Sequence, residues 1–167
     1  MWLAAALSVK FCSVEENEMR FIHRALLVIL FGLLVCGFER AAWAEIGQIK
    51  NVAGQVSVWR NNVQQTAKAG DLLEQADVLT TGANSYVGVT FIDNSRLSAG
   101  PNSRVELKQF RFDPTTNNGE FLADMQRGTL AIVSGQIAKR SPDAMKVKTP
   151  TTILGVRGTT FAVKVEE

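Results

Sequence analysis

Beyond Ala44 the chain returns again and again to one pattern: a short run in which apolar and polar side chains alternate, then a cluster of turn residues. The clearest run is Tyr86–Ile92, YVGVTFI, where Val87, Val89 and Phe91 share one face and Tyr86, Gly88, Thr90 and Ile92 the other. Period-two alternation with turns at intervals of about ten residues specifies strands, and helical periodicity is hard to find anywhere after Ala44. The expectation is therefore an all-β fold, a single compact roll or sandwich of short antiparallel strands. A β-solenoid-like stack is the alternative, since short strand-Gly-strand units recur without an exact tandem repeat.

The turns can be placed by their chemistry. Glu45–Ser57 reads as strand material broken near Ala53-Gly54, and Asn61-Asn62 is a hairpin-type turn, because Asn tolerates positive φ. Gly70 and Gly82 are turn positions, and Asp71 and Asp77 are placed to cap backbone N–H groups. Asp93-Asn94-Ser95 turns Tyr86–Ile92 into Arg96–Ala99. Gly100-Pro101-Asn102-Ser103 leads into Val105-Glu106-Leu107. The alternation then changes phase before Phe110-Arg111-Phe112, which predicts a β-bulge around Lys108-Gln109. Asp113–Glu120, DPTTNNGE, is the most loop-like run. Phe121–Gln126 resumes order, with a short helix at Glu120–Met125 as an alternative. Arg127-Gly128 reads as a turn, Thr129–Val133 as a strand and Lys139–Ala144 as a charged surface turn. Met145–Thr149 alternates, Pro150 ends a strand or makes a corner, and Phe161–Val165 is the last strand.

The segment ahead of Glu45, residues 19–44, carries a different signal. Arg20, His23 and Arg24 precede an apolar run, Ala25–Phe38, and Ala42-Trp43-Ala44 has the small residues of a signal-peptidase site. The run is short against the roughly 20 residues that a membrane span needs. This predicts a hydrophobic signal helix cleaved after Ala44 and a periplasmic product, with an uncleaved anchor as the alternative. A lipoprotein signal at Cys36 is disfavoured by the branched residue Val35 before it. Met1–Glu18 fits poorly ahead of a signal, so the natural start is expected at Met19. The expected organisation is residues 1–18 as an extra N-terminal segment, 19–44 as signal peptide and 45–167 as one domain.

Composition matters here for what it removes. Cys12, His23 and Cys36 are the only cysteines and histidine, and all lie before Ala44. Residues 45–167 therefore offer no Cys or His zinc site, no Cys or His nucleophile, no Ser-His-Asp triad and no disulfide. No catalytic, cofactor-binding or metal-binding residue is expected. An enzyme built on paired carboxylates is the weaker reading, because the acids sit at turns. Formal charge is +2 with the basic residues scattered, so no nucleic-acid partner is expected either.

Taken together these pieces resemble the FecR domain, the periplasmic module of iron-dicitrate-type signalling. The resemblance runs through Ala69-Gly70-Asp71, Asp77-Val78-Leu79-Thr80-Thr81-Gly82, Ser85, Asp93-Asn94-Ser95-Arg96-Leu97, Gly100–Ser103 and Arg127-Gly128-Thr129-Leu130. It ends in Val147-Lys148-Thr149-Pro150 and Gly155-Val156-Arg157-Gly158-Thr159-Thr160-Phe161-Ala162-Val163. The motif positions it implies are Gly70, Asp71, Asp77, Thr81, Gly82, Asp93, Ser95, Gly128, Thr149, Pro150, Arg157, Gly158, Thr159 and Phe161. It implies a non-enzymatic, sensory or protein-binding module whose partner is an envelope protein. Sensing of a ferric chelate is a narrower version, and a structural envelope scaffold is the alternative. Full-length members resemble a relay with a cytoplasmic anti-sigma region and a further domain, neither of which is evident here. Stopping after the last strand is expected to leave an exposed edge that another chain pairs with. Contact with the membrane is expected only through the N-terminal segment.

Arg157 has two readings. It grips a carboxylate or phosphate in a fork that Gly155 and Gly158 leave room for, or it ties down a turn carboxylate such as Asp71, Asp77 or Asp93, or free carbonyls at the Thr149-Pro150 corner. The second is preferred, because a buried Arg needs a partner. Under that reading Arg157→Ala destabilises the domain; unchanged melting with lost partner binding would overturn it.

Overall fold

The computed structural model describes residues 44–156 and 160–166, all within the unit Trp43–Glu167. Twelve strands and one short helix make up this part: β1 (Glu45–Ala53), β2 (Val56–Arg60), β3 (Val63–Thr66), β4 (Leu72–Glu74), β5 (Val78–Thr81), β6 (Tyr86–Phe91), β7 (Arg96–Ala99), β8 (Arg104–Asp113), β9 (Asn118–Val133), α1 (Gln136–Arg140), β10 (Met145–Lys148), β11 (Ile153–Gly155) and β12 (Thr160–Val165). The strands join in one curled sheet in the order β3-β2-β5-β8-β9-β7-β6-β1-β4, with β10, β11 and β12 attached beside β9. The all-β roll holds, and antiparallel pairing rather than a solenoid stack builds it. The expected signal helix and the boundary at Met19 lie outside the described residues, which begin at Ala44. Among the described residues no helix is long and apolar enough to cross a membrane.

Alternation does the work the sequence assigns to it. Val87, Val89 and Phe91 are buried while Tyr86 and Ile92 are exposed. The curl brings the two halves of the sheet face to face, and Phe91 of β6 packs at 5.3 Å from Phe110 of β8 and 4.8 Å from Phe121 of β9. Around that aromatic cluster lie Ile49, Leu79, Leu97, Leu107, Met125, Leu130 and Ile132, all buried. Aromatic pairs at such distances add to the area that each ring removes from water. The turn at Asn61-Asn62 has φ of 51° and 63° at its two residues, which matches a tight hairpin between β2 and β3. The bulge predicted near Lys108-Gln109 is present as a register shift between Glu106 and Gln109.

Four local readings need correction. Arg127-Gly128 is not a turn: β9 is one strand of 16 residues that continues through it. Gly128, at φ 93°, bends β9 so that its first part pairs with β8 and β10 and its second with β7 and β12. Glu120–Met125 is strand and not helix, because Phe121, Ala123 and Met125 alternate into the core. The charged turn at Lys139–Ala144 begins inside a helix, α1, whose Ile137 is fully buried. Finally, β10 runs parallel to β9, Met145 opposite Phe121, the exception in an antiparallel sheet. A parallel neighbour requires a crossover, and α1 lies in the one between them.

Most turns carry the chain from one half of the sheet to the other. β1 and β2 do not pair with each other, and neither do β5 and β6, or β7 and β8. The motif residues gather at these crossings.

Candidate interaction site

Three polar clusters and one notch account for the motif positions among the described residues. The first cluster joins three crossings and the bend in β9. Thr81 Oγ1 donates to the Gly100 carbonyl at 2.6 Å and accepts from Ser103 N–H at 2.9 Å. Gly82 N–H donates to Gln55 O at 2.9 Å, and Gln55 N–H to Ser85 Oγ at 2.8 Å. Ser103 Oγ donates to Thr129 O at 3.1 Å and accepts from Thr129 N–H at 3.0 Å, beside the bend in β9. A Cβ on Gly128 would stand 2.4 Å from Ser103 Cα, so the bend admits only glycine. Thr81, Ser85 and Ser103 are buried, and a buried hydroxyl is tolerable because each has these partners.

The second cluster closes the other side of the roll. Asp77 is fully buried and accepts from Arg60 Nε at 2.8 Å, Arg60 Nη2 at 2.7 Å and Glu74 N–H at 2.8 Å. Arg60 also reaches Glu74 Oε1 at 2.7 Å and the Leu72 carbonyl at 2.9 Å. Its hydrogen bond to the Asp77 carboxylate holds the guanidinium in the charged form, further up than usual. This bidentate fork bridges β2 to the edge strand β4. It also covers the free carbonyl of Leu72, while Asp77 covers the free N–H of Glu74. Gly70 and Asp71 belong to the neighbouring turn, where Asp71 Oδ2 accepts from Lys68 N–H at 2.7 Å and Gly70 has φ 100°.

The third cluster seats α1. Asp93 accepts from Ser95 N–H at 2.9 Å and Ser95 Oγ at 2.6 Å, and Ser95 Oγ accepts from Gly135 N–H at 2.9 Å. Asp93's backbone carbonyl takes Gln136 N–H at 2.8 Å. Both side chains are fully buried.

Thr149 and Pro150 lie elsewhere, at a notch on β9. On one flank β9 is bonded continuously by β7 and β8. On the other, β10 ends with Lys148 opposite Asp124 and β12 ends with Val165 opposite Gly128. Between them Gln126 faces a cavity of about 520 Å³ that is also lined by the corner Thr149–Thr152, Leu154 and Val163–Glu166. Thr149 holds the corner through its N–H to Thr152 O at 2.8 Å and its hydroxyl oxygen to Thr152 N–H at 3.1 Å. Phe161, Val163 and Val165 point to the core but stay half-buried, because β12 pairs only with β9 among the described residues. Lys164 and Glu166, 2.6 Å apart, sit at the rim, each holding the other charged: the lysine is pushed up and the carboxyl down. Arg157, Gly158 and Thr159 lie outside the described residues.

The motif positions thus do not form one site. Most are structural contacts at crossings, and only Thr149, Pro150 and Phe161 border the notch or its edge strand. Sequence reading misses Arg60 and Gly135 and takes Ser103 only as part of a turn, because their partners are far away in the chain. Arg60 is the cation on Asp77. Among the described residues no buried side-chain polar atom lacks a partner, and no group of acidic, Cys or His residues is placed to hold a metal.

The sequence profile of the family described as FecR protein matches residues 77–167. The chain belongs to the FecR family. No match to a curated protein or to a solved structure was found. The FecR match opens at Asp77, the buried carboxylate, and takes in the Thr81, Asp93 and Gly128 clusters, the notch and β12. In this FecR domain β1–β4 precede the match, yet they supply the partners of its first residues, Arg60 for Asp77 and Gln55 for Gly82.

Proposed function

We propose that this FecR-family chain is an exported, non-enzymatic protein-binding module of an envelope signalling assembly. Its partner, an envelope protein, adds an extended segment to the free edge of β12 and seats side chains in the adjoining notch. The observation that carries this reading is the state of β12. Its core-facing residues Phe161, Val163 and Val165 are only half-buried, and its outer edge has no strand beside it among the described residues. An added strand takes up such an edge through main-chain hydrogen bonds and gains specificity from alternate side chains in pockets. The buried polar groups favour the non-enzymatic reading, because the contacts above commit them to the fold. Family membership supports a sensory or signalling role and a periplasmic place, and the sequence of residues 19–44 supports export with cleavage after Ala44.

A photocrosslinking residue at Ala162, exposed on β12, tests this in intact cells. The expected result is one discrete adduct, missing when the same residue replaces exposed Arg96 on β7. It should also be lost when Val163→Asp places a charge against the edge of the core. No adduct at position 162, or equal adducts at 162 and 96, would refute edge pairing at β12 and leave the scaffold reading.

A further inference from the structure

Four strands end a ladder among the described residues: β3, β4, β11 and β12. Natural sheets protect such edges with charge, shortness or a covering group. β4 is covered by the Arg60–Asp77 fork, β11 has three residues, and β12 is the edge assigned above to the envelope partner. β3, one residue longer than β11, carries neither charge nor cover. Its sequence is Val-Gln-Gln-Thr, with no charge and no proline, and all four residues are exposed.

Its hydrogen-bonding pattern can be worked out. Arg60 and Val63 flank the two-residue loop Asn61-Asn62, so they form the hydrogen-bonded closing pair of the hairpin. Alternation then makes Val58–Gln65 a bonded pair and leaves Trp59–Gln64 and Ser57–Thr66 unbonded. Ala67 N–H donating to Val56 O at 2.9 Å continues the same rhythm. The N–H and C=O groups of Gln64 and Thr66 therefore point to the free edge.

We infer that β3 is a self-association edge whose occupant is β3 of a second copy of this chain, paired antiparallel about a twofold axis. In an antiparallel ladder opposed residues are both bonded or both unbonded. Gln64 opposite the other copy's Thr66 uses both outward-facing residues of each strand, whereas Gln64 opposite Gln64 or Thr66 opposite Thr66 bonds one pair within the strand, so the favoured register puts Gln65 opposite Gln65 on the axis. That register forms four main-chain hydrogen bonds and sets two uncharged amides face to face. A like copy meets no like charge, as isologous pairing requires. β3 is exposed on both faces, so the incoming strand displaces nothing. This edge is distinct from β12, and its test does not depend on the partner proposed above.

The register predicts one crosslink. Unbonded antiparallel pairs have Cα atoms about 4.5 Å apart, within reach of a disulfide. In the full chain carrying Cys12→Ser and Cys36→Ser, Gln65→Cys oxidised with diamide should give a covalent dimer. Gln64→Cys, two positions out of register with its own copy, should not. Without oxidant, Gln65→Lys should weaken the dimer by at least about fivefold in sedimentation, because like charges then meet on the axis, while the melting temperature measured at a dilution where both proteins are monomers stays unchanged. A monomer at about 100 μM, far above the nanomolar-to-micromolar range of specific association, overturns the inference. Equal crosslinking at positions 64 and 65 also overturns it.

Discussion

Replacing Arg60 by methionine should weaken the closure of the roll on the Asp77 side. The Asp77 carboxylate has no solvent exposure and takes three N–H donors, two of them from Arg60 at 2.8 and 2.7 Å. Arg60→Met keeps the apolar stem and leaves that anion buried with only Glu74 N–H. Removing one partner of a buried ion pair costs about 3–5 kcal/mol. The Arg60 side chain is 30% exposed, so water gains entry where the guanidinium was, and the low end, about 3 kcal/mol, applies. The opposite change is milder. Asp77→Asn leaves Arg60 bonded to Glu74 at 2.7 Å and to the Leu72 carbonyl at 2.9 Å. It retains an acceptor oxygen as well, so the loss should be about 1–2 kcal/mol. Urea unfolding at neutral pH resolves the two: with slopes of about 1–3 kcal/mol per molar, a 3 kcal/mol loss moves the midpoint by about 1–3 M. A loss below about 1 kcal/mol for Arg60→Met, or a larger loss for Asp77→Asn, would refute the reasoning.

Two glycines with positive φ separate backbone strain from crowding. Gly70→Ala meets nothing within 4 Å and should cost about 1–2 kcal/mol, whereas Gly128→Ala drives a methyl into Ser103 and should cost about 2–5 kcal/mol; midpoints of urea unfolding give the ordering. Thr81→Val conserves shape but orphans the Gly100 carbonyl and Ser103 N–H, at about 1–3 kcal/mol for each group. Hydrogen exchange at Ser103 should quicken accordingly. The Asp113 carboxyl is held below its ordinary 3.8 by Thr116 Oγ1, then by Thr115 N–H. Its contribution is present above pH 3.8 and lost as pH falls through the lower folded value. NMR titration of Thr115 N–H should therefore show a midpoint below 3.8, and Thr116→Val should raise it.

Strand identity was legible wherever the deciding contacts are local. Alternation at Tyr86–Ile92, paired asparagines at 61 and 62 and the phase change at Lys108-Gln109 are each set by neighbours in the chain, and each is found. The bend in β9 was not legible, because glycine after arginine reads as a turn whether the chain reverses or merely changes sheet. Only the Ser103 backbone, far away in sequence, decides it. α1 was hidden for a similar reason, since Ile137 is apolar for the sake of a core that the helix alone does not reveal. At the candidate site, the Thr149-Pro150 corner was legible from proline chemistry. The partner of Asp77 was not: Arg60 looks like any surface arginine until the curl brings β2 to β4.

The position of β9 bears on how the chain can be made. Before residue 118 exists, the eight earlier strands can assemble only as two separate ribbons, β4-β1-β6-β7 and β3-β2-β5-β8. Each presents an apolar face with no ladder to the other. Synthesis from the N-terminus leaves both ribbons sticky until β9 emerges and stitches them together, and long-range strand pairing of this sort is slow. The nascent chain is thus exposed to aggregation for most of its length, and a holding chaperone would serve it up to Val133 rather than beyond.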